Sequence, residues 1–249
     1  MPGKPVPSRR EVFRLKHPPL RPALVLAGLL PLFLAAGARA VDRHPTKFNG
    51  ADGTEIPATF FDSRATGPAA LFLQDCDGDA PELLNLAGKI TASGPRALLW
   101  NYRPGGNPKE ALEKAAEDAN AAWRMLISQT RVGSDRIGIV AIGCGARIAV
   151  PFAAKTGKVK LMAVISPDLT GVTDEQLAAV ADLPLLIFAN DGEADAKRLF
   201  AATHHEKSQL KLYRRPEKGM ALYQADGTLK GGIDDYFEFV YGGWAHPAY

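Results

Sequence analysis

The chain is short of cysteine, of histidine and of long apolar runs. Its longest apolar run, "PALVLAGLLPLFLAAG" at 22–37, has 16 residues, against roughly 20 for a comfortable membrane span. Lys4, Arg9, Arg10, Arg14, Lys16 and Arg21 precede it, and "ARA" at 38–40 follows. A basic region, a short apolar run and a small-residue site read as a secretory signal peptide over residues 1–40, cut after Ala40. The alternative is an uncleaved anchor, since the leader is long and Pro31 interrupts the run. That would be the chain's one route to a membrane. Arg9 and Arg10 follow Ser8 as in twin-arginine signals, while the rest of that pattern is poor, so the export route stays open. No cysteine stands near the cleavage site, which excludes a lipoprotein. The expected location is periplasmic or secreted.

A basic surface stripe is missing too. The leader holds seven of the 30 Lys and Arg and one of the 27 acidic residues, so the formal charge of +3 becomes −3 once it is gone. The apparent basicity is export chemistry, and no basic stripe with interleaved aromatics remains to suggest a nucleic-acid partner. Both cysteines, Cys76 and Cys144, survive processing and suffice for one bridge in an oxidising compartment. There is no internal repeat and no low-complexity linker. Residues 41–249 are therefore expected to form a single domain, with 242–249 a loose tail. An apolar content of 46% supports a substantial core.

What is present is alternation. "TKF" and "IPATFF" flank the turn "ADGTE" (51–55). Buried strands are predicted at 69–74, 96–100, 137–142, in "VKLMAVISP" and at 184–191, with a more exposed one at 209–215. Helices are predicted at 81–92, 109–130, 145–156, 193–205 and 233–240. The one at 109–130 is the clearest, because Leu112, Ala115, Ala116, Ala119, Ala122, Trp123 and Leu126 recur on one face. In "TDEQLAAVADL", Thr173 with Gln176 three residues on forms a capping pattern. Two early strands followed by strand–helix repeats predict an α/β fold, with a mostly parallel central sheet and helices on both faces. Ligands in such sheets sit at the carboxyl ends of the strands. That selects the loops 75–80, 101–108, 143–145, 166–172, 190–193 and 216–222.

At these loops the chain resembles the α/β-hydrolase superfamily, in particular the dienelactone-hydrolase-like esterases, over roughly residues 46–240. "ALFLQDCDG" is similar to the strand and "HGxxG" loop that forms half of an oxyanion hole. "ALLWNYRPGG" resembles the next strand and its turn. "DRIGIVAIGCGARIAV" resembles strand, nucleophile elbow and helix, and "VISPDLTGV" and "LPLLIFAND" the two strands that follow. In the family's G-x-S-x-G frame, Ala141 to Gly145 fill the five positions and Gly143 takes the serine's place. A second frame puts Cys144 at the tip, with Ile142 and Ala146 as neighbours. The elbow needs tiny neighbours because its backbone is pinched, which favours the first frame. The family's histidine lies in the loop after the last strand, where this chain has "RRPEKGMAL" and Met220 holds the place. His44, His204, His205 and His246 all lie elsewhere. For the acid, Asp191, Glu193 and Asp195 compete, with Glu193 best by spacing. Glycine cannot attack a carbonyl and a thioether takes no proton at neutral pH. The resemblance thus implies a hydrolase-like single domain without a working triad, a pseudoenzyme, and leaves its status as an enzyme open.

Three readings of Cys144 stand: an inert small core residue, a bridge to Cys76, or a thiol whose pKa is lowered by the helix N-terminus. The resemblance gives the bridge its geometry. Cys76 and Cys144 match the two places whose backbone N–H groups form the family's oxyanion hole, and a Cα separation beyond about 7 Å would rule the bridge out. Asp75, Asp77 and Asp79 resemble the start of a calcium loop, but Gly78 comes too early and Leu86 stands where a glutamate belongs. The loop reads better as a solvated cap on the next helix. "GCGARI" has Ile148 in place of the third glycine of a dinucleotide motif. Ser166 and Asp168 share a strand-end loop with no histidine to activate the serine. No metal and no cofactor are expected. The expected function is non-catalytic binding of a small neutral or apolar ligand, or of a protein partner. Backbone N–H groups of Cys76 and Cys144 would serve the ligand, and the acidic loop would repel anions. The alternative is a weak or atypical ester or lactone hydrolase with Cys144 as nucleophile and His204 or His246 as base.

Overall fold

The computed structural model describes residues 41–64, 67–76, 80–100, 102–103, 108–130 and 132–241. The leader at 1–40, Asp77, Gly78, Asp79, His246 and the tail at 242–249 lie outside the described residues. β1 (Asp42–Asn49) and β2 (Glu55–Asp62) pair antiparallel around a turn that Gly50 N–H closes on the Thr54 carbonyl at 2.8 Å. β2 runs antiparallel to β4 (Arg96–Trp100). From there β3 (Ala69–Leu73), β5 (Ile137–Ile142), β6 (Met162–Ile165), β7 (Leu185–Asn190) and β8 (Gln209–Tyr213) are all parallel. The order across the sheet is β1-β2-β4-β3-β5-β6-β7-β8. Among the described residues no helix is long and apolar enough to cross a membrane.

The two faces of the sheet are sorted by period-two alternation along fully buried strands. Leu71, Leu73, Ile139, Ala141, Val164 and Ile187 face one layer. It is built from α2 (Pro108–Thr130), α3 (Ala146–Thr156), α4 (Asp174–Ala179) and α5 (Ala194–Ala201). Phe72, Val140, Ile142, Ala163, Ile165 and Phe188 face the other. That layer comprises α1 (Ala80–Ala92), α6 (Gly219–Ala225) and α7 (Thr228–Tyr241). The expected helices on both faces are present. The capping box at Thr173 is formed, with Thr173 Oγ1 accepting from Gln176 N–H and Gln176 Oε1 accepting from Thr173 N–H.

Several element boundaries differ from expectation, and three of the differences have a plain physical reason. The helix expected at 193–205 stops at Ala201, because Ala202 N–H closes on Arg198 O and the next residues turn. The loop expected at 216–222 contains the first turn of α6. α7 starts at Thr228 rather than 233, capped by Asp226 Oδ1, which accepts from both the N–H and the hydroxyl of Thr228. Gly231 and Gly232 lower the intrinsic propensity there, and burial of Leu229, Ile233, Tyr236 and Phe237 overrides it. The hairpin end is clasped to α2 by Arg103, whose guanidinium pairs with the fully buried Asp118 and with Asp52 in the turn. The hydrogen bond from Arg103 first, and those from Thr54 second, hold the Asp52 carboxyl well below the usual range.

Candidate functional site

β5 delivers the chain to a sharp turn. Ile142 is still extended (φ −121°, ψ 135°), Gly143 is left-handed (φ 51°), and residues 143–145 form one tight 3₁₀ turn that runs into α3. A Cβ on Gly145 would lie 2.6 Å from the Leu73 carbonyl oxygen and 2.9 Å from that of Gln74, so the turn is pressed onto the end of β3. This is the shape of a nucleophile elbow, and Gly143 is its tip. Asp168 N–H donates to Gly143 O at 3.0 Å, and Asp168 is ion-paired with Arg147 on α3, which ties the loop after β6 to the elbow.

The space above Gly143 is filled by Asp75. A Cβ on Gly143 would overlap all three terminal atoms of the Asp75 carboxyl group. Oδ1 of Asp75 accepts from Cys76 N–H at 2.8 Å and from Cys144 N–H at 3.1 Å. These are the two backbone donors that the resemblance assigned to an oxyanion hole. Both donate to the chain's own carboxylate. Tyr102 steadies this loop from below, with its hydroxyl donating to Gln74 O at 2.8 Å. Burial first, and the Asp75 charge second, push the Tyr102 phenol above its ordinary value, so it stays a donor.

Cys76 and Cys144 are joined by a disulfide, with Cα atoms 5.7 Å apart. Of the three readings of Cys144 the structure takes the bridge, and the other two, inert thiol and reactive thiol, are superseded because no thiol is left. The same sulfurs and a carboxylate oxygen of Asp75 lie within 4.8 Å of one another. Sulfurs spent on each other offer no thiolate to a metal, so this trio is not a ligand set.

Around Asp75 opens a cavity of about 700 Å³ at the carboxyl ends of β5, β6 and β7. Asp75, Gly143, Ser166, Asp168, Glu193, Asp195, Lys218, Gly219 and Met220 are among the residues that line it. Met220, in the histidine's place, is 2% exposed and packs into the core beneath α6. His44 lies on β1, and His204 and His205 follow α5. No described histidine lines the cavity. Of the three carboxylates that competed for the acid's role by resemblance, Glu193 and Asp195 line the cavity and Asp191 is not among its described lining residues. Asp195 is engaged, because Oδ2 accepts from Leu169 N–H at 2.9 Å. Glu193 is 7% exposed. Burial pushes its carboxyl up, while the Asn190 N–H, the Ser166 hydroxyl and the Lys218 charge pull it part of the way back.

Ser166 departs from its local rules. It is left-handed (φ 48°) without being glycine, and 7% exposed. Its hydroxyl faces Glu193 without hydrogen-bond geometry, so Ser166 Oγ and Glu193 Oε2 both lack a partner among the described residues. A non-glycine residue in this region costs about 1–3 kcal/mol and marks functional sites more often than chance. Sequence reasoning passed over Ser166 for want of a histidine, and took the loop that begins at Asp75 for a solvated cap on the next helix. The available signal was paired. In the "HGxxG" frame Asp75 replaces the first glycine, while Gly143 replaces the serine. One position gains a side chain where the other loses one.

The sequence matches no family profile and no curated protein. Its structure is similar to that of the Pyrococcus furiosus esterase Pf2001, at 12% identity and a TM-score of 0.69 over 88% of this chain and 99% of the esterase. It is also similar to dienelactone hydrolase from Anabaena variabilis (12% identity, TM-score 0.67, 80% of this chain and 98% of that one). A third similar structure is the alpha/beta hydrolase GrgF from a Penicillium species (14%, TM-score 0.66, 81% and 99%). The chain has the α/β-hydrolase fold.

Proposed function

We propose that this is an exported, periplasmic or secreted, α/β-hydrolase-fold protein that binds a small ligand and does not catalyse acyl transfer. The observation that carries the reading is the Asp75 carboxylate above Gly143. The nucleophile's place holds no side chain of its own, and the two donors that would stabilise an oxyanion are already bonded to an anion. Met220 offers no base. The cavity has the size of a small-molecule site. Its carboxylates speak against an apolar occupant and favour a polar one.

Assay of the protein under oxidising conditions with p-nitrophenyl esters and lactones tests this. We expect release of product at the rate of buffer alone and no covalent adduct by intact mass. Turnover or an acyl-enzyme in the wild-type protein overturns the reading. Turnover that appears only with reductant and vanishes in Cys144→Ala would replace it with the thiol hydrolase.

A further inference from the structure

We infer that the cavity is a cation site for a small organic ammonium ligand, accepted by Glu193, Ser166 and Asp75. The inference rests on the binding role proposed above and names its ligand class. An α/β-hydrolase elbow ordinarily presents hydrogen-bond donors to its pocket. Here the donors are used up internally, because Asp75 Oδ1 takes the N–H groups of both Cys76 and Cys144. What remains is acceptors. Oδ2 of the same carboxylate lies between Gly143 and Gly219.

Two further acceptors face each other in the lining without hydrogen-bond geometry. Ser166 Oγ and Glu193 Oε2 have no hydrogen-bond partner among the described residues, although each residue is 7% exposed and lines the cavity. Buried polar atoms are rarely left in this state without a ligand or water to complete them. Ser166 is held there at the expense of backbone strain. An ammonium group, with three donors and a positive charge, satisfies a carboxylate and a hydroxyl at once.

The charge count points the same way. Asp168 is neutralised by Arg147. Among the described residues, that leaves Asp75, Glu193 and Asp195 in the lining against Lys218. Lys218 acts on Glu193 through its charge, so it is the internal competitor that a ligand's ammonium must displace or share with. A bare metal ion fits less well. About 700 Å³ is far more room than an ion needs, and Asp168 and Asp195 already serve other partners.

The test is calorimetric titration of the oxidised protein at pH 7 and low salt with three matched probes: n-butylammonium, n-butanol and butyrate. The expected result is a preference of about tenfold or more for butylammonium over butyrate. Glu193→Gln should weaken butylammonium by about tenfold, and Ser166→Ala by a few-fold. Asp75→Gly should reverse the preference, because it removes an anion and frees two backbone donors for the butyrate carboxylate. Circular dichroism verifies that each variant is folded, and Asp75→Asn serves if Asp75→Gly is not. The asparagine keeps an oxygen for the two N–H groups and should lose the ammonium preference without gaining butyrate. Equal binding of the three probes, tighter binding of butyrate, no binding at millimolar concentration, or a preference untouched by Glu193→Gln and the Asp75 variants each overturns the inference. None of these outcomes bears on the absence of ester turnover, so failure here and failure of the non-catalytic reading are separate results.

Discussion

Substitution of Gly143 by alanine puts the assignment of Asp75 to a quantitative test. Gly143 is left-handed (φ 51°), where an L-residue is penalised by about 1–2 kcal/mol. The new Cβ would overlap the Asp75 carboxyl group, so that group must leave. Its departure forfeits two backbone hydrogen bonds to an ionised acceptor, at 2.8 and 3.1 Å. Such bonds are worth about 1.5–3 kcal/mol each, and Asp75, half-buried, recovers part of that from water. The net loss from the carboxylate is then about 2 kcal/mol, and the whole substitution should destabilise by about 3–4 kcal/mol. Introduced into Asp75→Gly, the same alanine should cost only the backbone term, about 1–2 kcal/mol. Urea unfolding of the four proteins under oxidising conditions closes a double-mutant cycle with an expected coupling of about 2 kcal/mol. If the two substitutions were additive to within about 0.5 kcal/mol, Asp75 would not occupy the elbow and the argument from its carboxylate would collapse.

Two shorter predictions follow. A raised carboxyl pKa means the folded state holds the Glu193 proton more tightly than the unfolded state does. Its contribution to stability is therefore complete below the unfolded value of about 4.3 and is lost as pH rises through the folded value. Glu193→Gln should melt higher than the wild type at pH 8 and gain nothing at pH 4. A gain of equal size at both pH values would show that desolvation of the charge is not the cause. The disulfide spans 68 positions, which in a chain-entropy account stabilises by about 4 kcal/mol. Paired replacement of Cys76 and Cys144 by alanine should lower the urea midpoint accordingly, whereas an unchanged midpoint would mean that the loop is equally restrained without it.

The fold was legible where the signal is local and repeated. β5, with six buried residues and a two-residue alternation between layers, could hardly be anything but a central strand. The amphipathic face of α2 was equally plain. α6 and the first turn of α7 were not, because Gly219, Gly231 and Gly232 suppress local propensity and only packing beneath the sheet makes those residues helical. The candidate site was legible in its rim, since the strand-end loops at 143–145, 166–172, 190–193 and 216–222 all contribute to the cavity lining. Its contents were not, since the Asp75–Cys144 contact joins residues 69 positions apart and no local rule predicts it. Local logic instead made the whole loop from Asp75 a solvated cap on the next helix, a common use of aspartates before a helix. Ser166 escaped for another reason. Backbone strain is a property of coordinates and leaves no trace in residue type.

The bridge between Cys76 and Cys144 also closes a covalent ring. Residues 76–144 lie within it, so α1, β4, α2 and β5 hang from one knot at the end of the β3–β5 pair. A ringed chain cannot pass through a narrow channel as a single extended thread. If export is by the unfolded route, the ring has to form afterwards, on the far side, once β3 and β5 are already neighbours. Once they are, the carboxylate of Asp75 takes the N–H groups of both Cys76 and Cys144, which makes that residue a jig on which the two sulfurs are aligned.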